Sequence, residues 1–487
     1  MKSVNFNQLK IYCLILSGAF ILFSCHKDDM GLFQLKVSEG PFTKELSIPS
    51  EVSVIGTSLV AKSATMDLLS GSTSVMGYAG SILGPTIRIK SGAYASIQFN
   101  NQLSEASNIH WHGLIVPAMM DGHPGALINA NSSFQYGFPI QQRAGTYWYH
   151  PHAHGKTANQ VTHGLAGFFI VNDDEETRLN LPGGKNEIPL VIQDKRFKNG
   201  RDIDYSPSPM EVMSGYFGDH ILVNGVHTPV HKVSSKWYRL RVLNGSTARV
   251  YNLALSNNAS FYIIGSDGGL LKNPETVQSL LLAPGERADI LVDFKNQKVG
   301  AEIYLQSNTF NGGIQGDQSF KILKFVVDKV ENDAFVLPTS LSVIPSTPAG
   351  NSKITRTFDI ANIGHGGGHG GHGGGSGHTI NNLTFDMGRI DETVKNGETE
   401  TWVFDNSNGT DLHPMHIHGV QFQVIKREGG RGTIISSEKG WKDTVLCLPG
   451  EKVSVIMTFP NHKGKFVFHC HNLEHEDDGM MLNYEIL

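Results

Sequence analysis

The tripeptide His469-Cys470-His471 limits what the surrounding chain can be. On an extended strand successive side chains leave on opposite faces. Cys470 then points one way, and His469 and His471 point the other. His475 and Met480 follow closely. A thiolate, an imidazole and a weak thioether (Cys470, His475, Met480) make most of a blue-copper electron-transfer site, which needs one more imidazole. The two flanking histidines are left to hold a second metal centre a few covalent bonds away. That arrangement suits an oxidase.

Three further motifs repeat the theme: His110-Trp111-His112-Gly113, His150-Pro151-His152, and His413-Pro414-Met415-His416-Ile417-His418-Gly419. Two histidines at i and i+2 in extended chain share a face, about 7 Å apart along the strand. One pair can therefore serve two neighbouring ions. Four such pairs supply enough imidazoles for a three-copper cluster with positions open to a small molecule. Imidazole suits copper, and Cu²⁺ stands at the top of the divalent affinity order. A lone His-x-His is ordinarily a core or surface histidine. Four of them at the two ends of one chain, the last interrupted by Cys, form a pattern that structural histidines do not produce.

The chain has 487 residues, enough for about three domains at roughly 150 residues each. Short runs of Val, Ile, Thr and Phe alternate with Gly, Asn, Asp and Pro, which reads as all-β sandwiches or barrels. A first domain is expected over residues 36–174, with strands around Thr86–Ile89 and Ala95–Phe99. A second, without a His-x-His pair, is expected over 175–330, with strands around Ile188–Gln193, Trp237–Leu243 and Ala288–Phe294. Residues 331–351, with Pro338, Pro345 and Pro348, read as a linker. The third domain then covers 352–487. A net charge of −5 is small for this length, so neither a nucleic-acid nor an acidic-membrane partner is implied.

Residues 1–25 read as a targeting segment. Lys2 and Lys10 precede an apolar run, Ile11 to Phe23, that is too short to span a bilayer. The run ends Leu22-Phe23-Ser24-Cys25, which resembles a bacterial lipoprotein cleavage box with Cys25 as the lipidated residue. Residues 26–35 then form a tether, and Lys27-Asp28-Asp29 resembles a surface-export signal. An outer-membrane-anchored lipoprotein, periplasmic or surface-exposed, is the expectation. Of the remaining cysteines, Cys13 lies in the targeting segment and Cys470 is the proposed ligand. Cys447 is left without a partner, so no structural disulfide is expected. A Gly/His tract at 365–378 is too rich in Gly to order itself. Its His365, His369, His372 and His378 are candidate accessory copper or zinc ligands.

The four motifs resemble those of the multicopper oxidases: laccases, ferroxidases, bilirubin oxidases and bacterial copper-efflux oxidases. The likeness extends to Leu83-Gly84-Pro85-Thr86, Gly145-Thr146-Tyr147-Trp148, Gly164-Leu165-Ala166-Gly167 and Gly440-Trp441-Lys442-Asp443-Thr444-Val445. It is strongest toward the copper-efflux branch, through His150–Thr157 and His469–Met481. The resemblance implies three consecutive cupredoxin-like Greek-key β-barrels and four copper ions. The type 1 ion would be held by His413, Cys470 and His475 with Met480 as axial ligand, and the type 2 ion by His110 and His416. The type 3 pair would be held by His112, His150 and His469 on one ion and His152, His418 and His471 on the other. Every ligand position is filled, which argues against a metal-free relative such as the cell-division member.

The activity so implied is the oxidation of four donors, one electron each, with reduction of dioxygen to two waters. Electrons would pass from the His475 and His413 side through the Cys470 sulfur to His469 and His471. Four protons are consumed, so carboxylates are needed near the cluster. Asp121 and Glu476 match acids of the family pattern. A Met axial ligand suits easily oxidised donors, such as metal ions and electron-rich phenols. The copper-efflux oxidases carry a Met-rich insert where this chain has the Gly/His tract, which leaves the donor open. Three readings follow: a Cu(I) oxidase of copper homeostasis, a laccase-like oxidase of organic donors, or a copper-sequestering envelope lipoprotein. The partners expected are dioxygen and Cu(I) or a small organic donor, with membrane contact only through the N-terminal lipid and a monomeric chain.

Overall fold

The computed structural model describes residues 35–310, 317–360 and 377–487. The targeting segment, Cys25, and His365, His369 and His372 lie outside the described residues. Most of the rest is three pairs of packed β-sheets in series, with a two-stranded ribbon, Phe197–Lys198 and Asp202–Ile203, and a few short helices. Each pair closes on its own apolar core, as barrels and sandwiches do.

In the first pair a five-stranded sheet carries Thr86–Lys90, Gly167–Asn172, Gly145–His150 and His110–His112. It faces a four-stranded sheet that includes Ile55–Asp67 and Tyr94–Asn101. Trp111, Tyr147 and Tyr149 point into the core between them. The residues alternating with these, His110, His112 and His150, therefore lie on the outer face. Cross-strand pairing sets His110 directly opposite His150.

The second pair combines a six- and a seven-stranded sheet. The strands Glu187–Lys195, Trp237–Asn244 and Arg287–Asp293 lie where the β-rich runs place them. The N-terminal stretch departs from the expected domain plan. Lys44–Glu45 pairs in parallel with Pro229–Ser234, and Val37 and Leu46 belong to the second core. Residues from 36 to 46 thus complete the second barrel rather than the first. They cap a sheet edge whose backbone groups would otherwise be unpaired.

The third pair joins a four-stranded sheet to a five-stranded one ordered Glu392–Val394, Met481–Ile486, Gly464–Cys470, His413–Ile417, Thr444–Cys447. Apart from the consecutive strands Gly464–Cys470 and Met481–Ile486, neighbours in that sheet are not consecutive in sequence, as crossover connections of the Greek-key type require. Met415, Ile417, Phe466, Phe468 and Cys470 share the core. His416 and His469, opposite one another in the ladder, therefore point out of this barrel. Residues 330–348 carry no helix or strand.

Candidate metal centre

Two clusters of donor atoms lie on the two faces of the strand Gly464–Cys470. On the core side, His413 Nδ1 is 3.5 Å and His475 Nδ1 3.6 Å from Cys470 Sγ. All three residues are fully buried. The Asn472 side chain caps the short helix Leu473–Asp477 by accepting from the backbone N–H of Glu474 and His475. That cap turns His475 back toward Cys470. The following loop is pinned in the same way: the backbone N–H of Met480 donates to His475 O and its carbonyl accepts from Cys470 N–H. Met480 is buried in the same core. His475 Nε2 lies between the Asn472 amide nitrogen at 3.1 Å and the Met213 carbonyl at 3.2 Å, while Nδ1 faces Cys470 Sγ.

On the other face eight imidazoles converge. His110 Nε2 and His416 Nε2 are 3.4 Å apart. The Nδ1 of each donates to a main-chain carbonyl, Asp121 O at 2.7 Å and Asp443 O at 2.8 Å. Both Nε2 atoms therefore present lone pairs to one another. His418 Nε2 and His152 Nε2 approach His469 Nε2 at 3.1 and 3.2 Å. His112 Nδ1 lies 3.4 Å from His150 Nε2, and the His471 ring sits 4.9 Å from that of His112 and 5.5 Å from that of His150. Neither ring nitrogen of His471 has a hydrogen-bond partner. Lone pairs set face to face in a dry site repel, and a cation between them resolves it. The donor set fits copper: imidazoles alone on this face, thiolate and imidazoles on the other.

The pairing differs from that implied by the resemblance. His469 groups with His152 and His418, and His471 lies with His112 and His150. The two histidines share a face, and the different imidazoles brought against each distinguish them. His378 also differs from the expected loop ligand. It is fully buried, with Nδ1 on Asp478 Oδ2 at 3.0 Å and Nε2 on the Met213 carbonyl at 3.1 Å. Its ring stacks on His475 at 3.8 Å. Both of its nitrogens face oxygens of the fold rather than a shared metal position with the other donors.

Burial lowers the basicity of His110, His112, His152, His416, His418, His471 and His475. It brings His150 to about 4 and His413 to about 3. Neutral imidazole is the ligating form. Asp121 follows the short turn Ala118–Met120. Its Oδ2 accepts from His418 Nδ1 at 2.7 Å, and burial pushes its carboxyl well above the usual range. Glu476 places its oxygens 3.4 Å from His152 Nδ1 and 3.2 Å from His469 Nδ1. Neither oxygen is in a well-aligned hydrogen bond. Asp443 holds His112 Nε2 at 3.0 Å and went unassigned in the sequence, although it sits in the Gly440–Val445 block. His154 is exposed, and His163 bonds the Asn159 carbonyl. Cys447 is a buried thiol paired across the ladder from His413.

Three sequence profiles described as multicopper oxidase match residues 60–176, 192–321 and 352–487. The multicopper oxidase mco of Staphylococcus haemolyticus (strain JCSC1435) is 36% identical over 413 residues, 84% of this chain and 83% of that one. The laccase of Bacillus subtilis (strain 168) is 33% identical over 472 residues, 85% of this chain and 90% of that one. The solved structure of the McoA multicopper oxidase from the hyperthermophile Aquifex aeolicus superimposes with a TM-score of 0.83 at 35% identity, covering 91% of this chain and all of that one (100%). The chain belongs to the multicopper oxidase family, copper-binding oxidoreductases that pass electrons from a donor to dioxygen.

Proposed function

We propose that the protein oxidises Cu(I) in copper homeostasis, with four copper ions on the clusters above. His413, Cys470, His475 and Met480 would hold the type 1 ion, and His110 and His416 the type 2 ion. His112, His150 and His471 would hold one type 3 ion, and His152, His418 and His469 the other. When bound, the copper supplies one-electron uptake at the first site and reduction of dioxygen to two waters at the cluster. The chain holds the ligands neutral, dry and aimed. Asp121 and Glu476, each against the Nδ1 side of cluster ligands, hold and pass the protons that this reduction consumes.

The observation that carries the choice of donor is a cavity of about 770 Å³ beside the type 1 ligands, lined by Met210, Met213, Asp478 and Gly377 with Pro207, Pro209 and Val212. Met213 also receives His475 through its carbonyl. Two thioethers and a carboxylate suit a soft monovalent cation next to the electron acceptor. The mostly apolar lining also supports a second reading, a laccase-like oxidase of phenols, since aromatic donors bind such clefts. Oxygen uptake by copper-loaded protein lacking residues 1–25 separates the two. A chelated Cu(I) donor turned over far faster than a phenol, and lost in the double variant Met210→Leu, Met213→Leu, supports the first. The reverse preference sinks it. Lipidation at Cys25 and residence in the cell envelope rest on the N-terminal residues. Cys25→Ser should release the protein from the membrane fraction.

A further inference from the structure

The second barrel supplies no proposed copper ligand, yet one stretch of it runs along the trinuclear site. At Gly285 the backbone has φ +80°, and an added Cβ would lie 3.0 Å from the His471 ring. Next to it, Glu286 Oε1 accepts from Lys442 Nζ at 2.8 Å. Arg287 then forks onto Asp443, Nη1 to Oδ1 at 2.7 Å and Nη2 to Oδ2 at 2.5 Å. Its other donors reach the carbonyls of Thr146, Gly285 and Asp267. All five guanidinium N–H groups are thus used, on partners from all three barrels. Asp267, also in the second barrel, lies 3.4 and 3.3 Å from the backbone N–H of Asp443 and Thr444. Arg287, Asp267, Asp443 and Thr444 are fully buried.

We infer that the second barrel is a positioning element of the trinuclear site, acting on His112 and His416. Arg287 and Asp267 set the place of Asp443 and Thr444, and these set the aim of His112 and His416. Asp443 Oδ1 and Thr444 Oγ1 lie 3.0 and 3.1 Å from His112 Nε2. That leaves Nδ1 as the ligating nitrogen of His112. The Asp443 carbonyl fixes His416 Nδ1, leaving Nε2 to ligate. Partners of this kind choose the tautomer and raise the basicity of a metal-bound imidazole. A lysine at 287 would keep the charge but lose the fork.

This inference rests on the trinuclear assignment above. The test is Arg287→Lys in the full chain, loaded with copper and competed with a chelator. The readouts are copper per chain, the type 2 electron paramagnetic resonance signal and the blue thiolate–copper band. Trinuclear affinity should fall about 10–100-fold, with an altered type 2 signal and an unchanged blue band, because Cys470 and His413 lie on the opposite face. Wild-type trinuclear affinity in the variant overturns the inference. Equal loss from both centres also overturns it, because that is general unfolding. Should Arg287→Lys fail to fold, Asp267→Asn must show the same selective loss, and full retention there overturns the inference. Failure of the underlying assignment looks different: the unaltered protein itself would take up only the type 1 ion.

Discussion

Replacing Asp121 tests orientation and proton transfer separately. Its Oδ2 holds His418 Nδ1 at 2.7 Å, and both residues are essentially unexposed. A buried donor left without its partner costs about 1–3 kcal/mol. Asp121→Ala leaves the His418 N–H unpaired in a dry site, so trinuclear copper affinity should fall about 10–100-fold. Asp121→Asn keeps an acceptor of the same shape, so copper should still load with less than about tenfold loss. An amide cannot take up and release a proton as a carboxyl does. Turnover of the fully loaded Asn variant should therefore drop by about 10²-fold or more, with the blue band unchanged. The assay is oxygen uptake normalised to bound copper, with chelator competition for affinity. A fully active Asn variant refutes the proton role. An Ala variant with wild-type affinity refutes the orienting role.

Cys470→Ser should abolish the blue absorption and donor oxidation together while leaving imidazole-bound copper detectable by electron paramagnetic resonance; a blue, active Ser variant sinks the type 1 assignment. Lys195 is buried with Nζ on the Thr162 carbonyl, and burial brings its ammonium from 10.5 to about 7. The folded state then binds fewer protons than the unfolded one between about pH 7 and 10.5, so this group's contribution makes stability rise with pH across that window, by on the order of 5 kcal/mol. Lys195→Met should flatten that part of the slope in denaturation curves and raise stability at pH 7; an unchanged slope contradicts the assignment. Gly113 has φ +85°, and an added Cβ would collide with Asp443 and Arg287. Gly113→Ala should cost about 1–3 kcal/mol from the backbone alone, read as a lower midpoint in thermal melts, and wild-type stability would contradict that packing.

The donor atoms were legible because strand geometry is local. Alternation around Cys470 separates thiolate from imidazole whatever the rest of the chain does. The same rule sends Trp111 and Tyr149 into a core and His110 and His150 out of it. The all-β class was legible for the same reason, from short β-branched runs between turn residues. Less could be read where one rule allows two outcomes. His469 and His471 share a face, and their first-barrel partners lie more than 300 residues earlier. His378 belongs to a Gly-rich tract in sequence, yet its place is set by Asp478 and the Met213 carbonyl. The first strand, Lys44–Glu45, joined the second barrel because a free edge there was the partner available.

Taken alone, the sequence determined which atoms could bind copper and on which side of each strand they stand. Backbone periodicity and the chemistry of thiolate and imidazole need no tertiary information. The tertiary structure decided which histidines meet, which nitrogen of each is free, and who holds them there. Those are properties of a buried junction, where polar groups need partners and several of the partners come from another barrel. Arg287 and Asp443 are 156 residues apart. No local pattern links them, but once both are buried their charges leave neither a better partner.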